Sequence, residues 1–210
     1  MKKLIFVSAG RCGTTRIAQI LKEYLPVEFS VQHQMTYSRL ANIIGNIFFY
    51  FGQSEKLKNK LYKFITSRYF QGKHFICTDP LTSMIIPKEY IDSGDVCIVH
   101  IFREQKEFAE SFFNFSRNKL KSFIAHNFIP FWQIGIWPLE NLLNGDIKKK
   151  YNKVAELKNE YFVKKYSSNP NFLKIEMDEV FNSNFLRDII YNFFNHDILI
   201  TEEDLKIKAN

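Results

Sequence analysis

Residues 4–7 form a short aliphatic and aromatic run, residues 8–13 interrupt it, and Ile17, Ile20, Leu21 and Tyr24 then step i, i+3, i+4, i+7. That step marks one face of a helix, so the chain opens as strand, glycine-containing loop, helix. Pro26 closes the helix, and residues 27–31 read as a second short strand before the polar Gln32-His33-Gln34. Helical stretches follow over 37–51 and 54–70, with Gly52-Gln53 between them. Residues 74–78, stopped by Asp79-Pro80, and residues 95–102 are the third and fourth strands; the fourth is apolar at nearly every position, as strands covered on both faces are. The pattern predicts a helix from Glu104 to about Ser122 with Phe108, Phe112 and Phe115 on one side. A segment over 128–166 is aromatic at its start (Phe131, Trp132, Trp137) and helical and basic at its end. A strand over 171–175 and a helix over 184–195, which keeps Phe185, Ile189 and Phe193 in step, complete the chain. Strands alternating with helices predict an α/β fold with three α/β/α layers, a central, mainly parallel sheet and right-handed crossovers.

Composition narrows the function only a little. With 210 residues, 46% of them apolar and 24% charged, the chain is expected to be a single domain over 1–210 with its own core. The 29 basic residues exceed the 22 acidic ones by seven, which favours an anionic partner. No nucleic-acid-binding signature accompanies that charge, and the one dense block, Lys148-Lys149-Lys150, reads as a solvated helix face, so no nucleic-acid partner is expected. Cys12, Cys77 and Cys97 are odd in number and lack metal-ligand spacing, which predicts free thiols in a reducing compartment and no metal site. The opening residues imitate a signal peptide with too short an apolar core, and no stretch is long enough to span a bilayer. A cytoplasmic protein with no membrane span is the expectation; nothing in the sequence speaks to oligomeric state.

The loop after the first strand carries the first candidate chemistry. In an open α/β sheet a ligand sits at the carboxyl ends of the strands, where a glycine loop feeding a helix exposes N–H groups and the positive end of the helix dipole. Gly10 and Gly13 allow a tight turn and close approach of an anion, and the Thr14 and Thr15 hydroxyls can cap the helix or bond an oxyanion. A plain structural turn would use the same residues. The NTP-binding pattern G-x-x-x-x-G-K-[ST] fails at its cation, since Thr14 follows Gly13, and only Thr78-Asp79 could supply the metal-holding acid of an NTPase or nucleotide kinase.

Arg11-Cys12-Gly13-Thr14-Thr15, following the strand, resembles the 5′-phosphosulfate loop of the sulfotransferase superfamily, P-loop-type enzymes that use 3′-phosphoadenosine 5′-phosphosulfate (PAPS) and commonly show R-S-G-T-T or K-S-G-T-T there. Cys12 replaces the usual serine. A second match lies far along the chain: the family's 3′-phosphate site is an arginine at a strand end with a serine eight positions on, and here Arg103 and Ser111 hold that spacing. Residues 171–179 are similar to the family's late strand and acidic turn. The late basic glycine-containing motif of cytosolic members is missing, which points to the bacterial or carbohydrate-type branch.

The resemblance implies a PAPS-dependent sulfotransferase that transfers a sulfuryl group to a hydroxyl or amine of a glycan, lipid or small-molecule acceptor and releases 3′,5′-ADP, without a metal. It assigns Arg11 and the backbone of Gly10, Cys12, Gly13, Thr14 and Thr15 to the 5′-phosphosulfate, and Arg103 with Ser111 to the 3′-phosphate. The acceptor needs a base, and His33, after the second strand, is the first choice, with Glu28 and Asp79 in reserve. Asp79-Pro80 stands where many relatives have a lysine-containing turn. His74, His100, His126 and His196 read as structural; residues 47–51 and Phe131, Trp132 and Trp137 could wall an acceptor pocket or belong to the core. A nucleotide kinase or NTPase, and a relative that binds an anion without turnover, remain the alternatives.

Overall fold

The computed structural model describes residues 1–52, 54–70, 72–135, 146–182 and 184–205; Trp137 lies outside them. Five strands, β1 (Lys3–Val7), β2 (Phe29–Gln32), β3 (His74–Cys77), β4 (Val96–Phe102) and β5 (Phe172–Glu176), form one sheet in the order β2-β3-β1-β4-β5. Every pairing is parallel, with Lys3 opposite both Phe75 and Val96. The helices are α1 (Thr14–Tyr24), α2 (Ser38–Phe51), α3 (Glu55–Phe70), the one-turn α4 (Lys88–Ile91), α5 (Gln105–Arg117), α6 (Leu120–Phe128), α7 (Ile147–Tyr166), α8 (Met177–Asn182), α9 (Phe185–Phe194) and the short α10 (Glu202–Leu205). No described helix is long and apolar enough to cross a membrane.

Strand alternation builds the two core layers directly. Leu4, Phe6, Val99 and Ile101 face one side and pack with Ile17 and Leu21 of α1, Phe181 of α8 and Ile190 of α9. Ile5, Val7, Phe75 and Ile98 face the other and pack with Ala41 of α2, Tyr62 and Ile65 of α3, and Phe162 and Tyr166 of α7. Both faces of β1, β3 and β4 are therefore buried, while the edge strand β5 is partly exposed, and the three-layer α/β architecture follows. From β1 the chain leaves through α1 toward β2, whereas from β4 it leaves toward β5 on the opposite flank. The carboxyl ends of β1 and β4 thus bracket the topological switch point, where open α/β sheets leave a crevice.

The structure departs from the sequence pattern in one consequential place. The helix expected to run unbroken to about Ser122 stops at Arg117, and α6 starts afresh at Leu120 after an extended Lys119. Ser116 bonds back to the Phe113 carbonyl at 3.0 Å and accepts the Tyr151 hydroxyl of α7, which in turn accepts from Asn127 of α6 at 3.0 Å. This buried relay ties three helices together at the break and swings α6 across the crevice. The second strand also begins two residues later than predicted, because a turn closed from Phe29 N–H to the Pro26 carbonyl at 3.0 Å occupies its first positions.

Candidate active site

The loop from Ser8 to Gly13 reverses the chain with three residues at positive φ: Gly10 at φ 101°, Arg11 at φ 55° and Gly13 at φ 70°. Gly13 caps α1, and its carbonyl accepts from the N–H groups of Arg16 and Ile17. No threonine caps the helix, so that part of the sequence reading is corrected: Thr14 is buried, and the Thr15 hydroxyl turns to His33 Nε2 at 3.0 Å. Among the described residues the N–H groups of Gly13, Thr14 and Thr15 meet no protein acceptor, leaving three donors at the positive end of an 11-residue helix. Cys12 turns inward, its thiol donating to the Gly10 carbonyl at 3.1 Å; burial pushes it up to about 12, so it is a neutral thiol in the core rather than a ligand group.

All the sequence-nominated loop residues, together with Arg103, Ser111 and His33, line one cavity of about 760 Å³ at the switch point. Arg11 stacks its guanidinium on Phe115 of α5, 4.6 Å from the ring centre. Burial and then the like charge of Arg103 lower the pKa of Arg11, so the two guanidiniums share one field although they lie on different strand ends. Arg103 leaves β4 and is held by Glu107 at 3.2 Å, an exposed i,i+4 pair on the first turn of α5. A side cavity of about 460 Å³ continues past Arg103 and Ser111, where Glu107, Glu110 and Asp178 also line it.

His33 is fixed in orientation. Its Nδ1 lies 2.9 Å from the Thr78 carbonyl, which can only accept, so in the neutral ring the proton sits on Nδ1 and the Nε2 lone pair takes the Thr15 hydroxyl. The reserves fare differently. Glu28 precedes β2 and is exposed at the amino end of the sheet, the end opposite the loop, which removes it as a base. Asp79 lines the cavity, but its carboxylate accepts from the N–H groups of Met35 at 2.9 Å and Leu81 at 3.1 Å, and burial raises its pKa. Both oxygens are engaged in shaping the turn, which leaves it poorly placed to serve as a base or as the metal-holding acid of an NTPase.

Two residues in the cavity wall were not singled out as functional from the sequence. His126 of α6, read as structural, lines this cavity and the adjoining one, where it accepts from Gln133 Nε2 at 2.9 Å; burial pulls its pKa down to about 3. Lys158 of α7 lines the main cavity while only 4% exposed. The adjoining cavity, of about 1220 Å³, is walled by Tyr37, Phe115 and Trp132 and edged by Arg39, Lys119 and Lys121, with no carboxylate among the described residues that line it. Phe48 of the aromatic segment 47–51 is instead core, and Lys148 pairs with Glu110 on the surface.

No protein-family model matches the chain, and no curated protein matches it by sequence. Among solved structures, a sulfotransferase from Alicyclobacillus acidocaldarius matches 98% of this chain and 88% of its own, with a TM-score of 0.51 at 12% identity. A sulfotransferase domain from the curacin biosynthetic pathway covers 97% of this chain and 76% of its own, with a TM-score of 0.45 at 11% identity. The first likeness extends over nearly the whole chain, and the fold is of the sulfotransferase type.

Proposed function

We propose that the protein is a sulfotransferase that moves a sulfuryl group from PAPS to a hydroxyl or amine of a glycan, lipid or small-molecule acceptor. The observation that carries this reading is one cavity shared by an N–H-rich loop with Arg11, a second cation and hydroxyl at Arg103 and Ser111, and the oriented imidazole of His33. The residues suit a ligand with anions at two ends. Gly10 has no neighbour within 4 Å of where a side chain would start, so an anion can reach the loop backbone, and the three free N–H groups with Arg11 would hold the 5′-phosphosulfate. Arg103 and Ser111 would hold the 3′-phosphate, with Glu107 giving up an exposed pair as it enters. PAPS supplies the activated sulfuryl group.

The chain's own groups then do three things. Arg11 stabilises negative charge on the oxygen that departs with the 5′-phosphate, in a site where no reorganisation is needed. His33 accepts the acceptor's proton on Nε2, the atom that now takes the Thr15 hydroxyl, while the Thr78 carbonyl keeps the ring in that tautomer. The adjoining cavity receives the acceptor, its aromatic walls suiting sugar or phenol rings and its cations, which face no carboxylate among the described lining residues, favouring an acceptor with an acidic group.

Calorimetric titration with 3′,5′-ADP without magnesium, against 5′-AMP and ATP with magnesium, tests the donor assignment: 3′,5′-ADP is expected to bind tightest. Preference for ATP with magnesium, or indifference to the 3′-phosphate, would overturn it. Sulfuryl transfer to a panel of neutral and acidic acceptors, with His33→Gln as the inactive control, tests the reaction.

A further inference from the structure

Lys58 and Lys158 are both buried among the described residues, but only one is neutralised by the protein. Lys58 Nζ meets the Glu55 carboxylate at 2.8 Å. The more open Lys165 donates to the Ile86 carbonyl at 3.0 Å. Lys158 has neither: among the described residues no carboxylate or carbonyl accepts from its Nζ. It sits in the buried stripe of α7 formed by Tyr151, Val154, Ala155, Phe162 and Tyr166, and it reaches the main cavity near Cys12 of the loop. A buried ammonium without a counter-charge is costly, and here the open side faces a site already lined by Arg11, Arg103 and free N–H groups.

We propose that Lys158 is the ligand-linked cation of this site: it grips the 5′-phosphate end of donor and product, and the arriving anion brings a proton from solution onto its Nζ. The inference rests on the donor assignment above and adds a residue and a proton to it. The balance is simple, since the Nζ lone pair takes one proton and no other bond changes. Burial pulls the free lysine down to about 8.

The groups around it leave that proton unambiguous. Cys12 in the loop is a neutral thiol at about 12, and His126 from α6 is a neutral imidazole at about 3. From α5 come the uncharged Ser111 and Phe112; Arg11 and Arg103 stay cationic, His33 lies after β2, and Asp79 is committed to its turn. On α7 itself, the positions three and four residues away, Val154, Ala155, Tyr161 and Phe162, carry no carboxylate.

The test is titration calorimetry at pH 9 in buffers of different ionisation enthalpy, where imidazole and phosphate groups have finished titrating. Wild-type protein should take up roughly 0.8 proton per 3′,5′-ADP bound, because about nine-tenths of a lysine at pKa 8 is neutral there. Lys158→Met should take up none and bind about tenfold weaker at pH 7, and Lys158→Arg, always charged, should bind without uptake. Binding of 3′,5′-ADP by the wild type with no uptake, or uptake retained in Lys158→Met, overturns the proposal whatever the variants' stability. Equal affinity for 5′-AMP and 3′,5′-ADP, each with uptake, removes the sulfotransferase assignment and leaves Lys158 standing. Wild-type protein that binds neither 3′,5′-ADP nor pyrophosphate overturns both.

Discussion

Gly13 is the tightest point of the site, and alanine there should cost about 2–5 kcal/mol by two separable routes. The backbone at φ 70° is left-handed, which costs a residue with a Cβ about 1–2 kcal/mol. The new Cβ would also stand 2.4 Å from Cε2 and 2.6 Å from Cζ of Phe181, a side chain only 6% exposed in the core layer that carries α8. The ring must move by about an ångström within packed surroundings, an overpacking cost of about 1–3 kcal/mol. Gly10 provides a contact-free comparison, since its φ of 101° also disfavours alanine but no atom lies within 4 Å of its Cβ position. Urea denaturation of Gly13→Ala, Gly10→Ala, Phe181→Leu and the Gly13→Ala/Phe181→Leu pair separates the terms. The double variant is expected to be less destabilised than the sum of its parts by about 1–3 kcal/mol, leaving the backbone share behind. Strict additivity in the double variant would refute the contact as the cause.

Arg11→Ala should lower sulfuryl-transfer turnover by on the order of 10²–10³ while changing 3′,5′-ADP affinity far less, measured by single-turnover kinetics and calorimetry. Glu107→Gln frees Arg103 from an exposed pair and should tighten 3′,5′-ADP about two- to fivefold without affecting 5′-AMP. Lys158 has its folded pKa lowered to about 8 from 10.5, so below pH 8 its charge costs up to about 3 kcal/mol, and stability rises with pH between those values because the unfolded chain then holds more protons. Ligand-free Lys158→Met should therefore be more stable than wild type at pH 7 and show less of that rise in urea titrations between pH 7 and 10.

The sheet was legible because parallel strands covered on both faces leave continuous apolar runs, and the two strand-end motifs were legible because each is local in sequence, one within the loop after β1 and the other running from the end of β4 into α5. The architecture places Arg11 and Arg103 after β1 and β4, so adjacency in the sheet order converts two local patterns into one cavity. The wall across the crevice was not legible, since its shape depends on the Ser116, Tyr151 and Asn127 relay, whose members lie up to 35 residues apart and carry no periodic signal. That relay breaks the expected helix and brings His126 to the site, which a lone histidine in a helical segment does not announce. Lys158 is different, because its signal was present. Lys58 and Lys158 both interrupt buried helical stripes, yet Lys58 has Glu55 three positions before it, whereas Lys158 has only uncharged residues at its i±3 and i±4 positions. A lysine in an apolar stripe with no acid one turn away must find its counter-charge on another element or in a ligand. With no protein acceptor for its ammonium among the described residues, Lys158 leaves that task open to an anion entering the cavity.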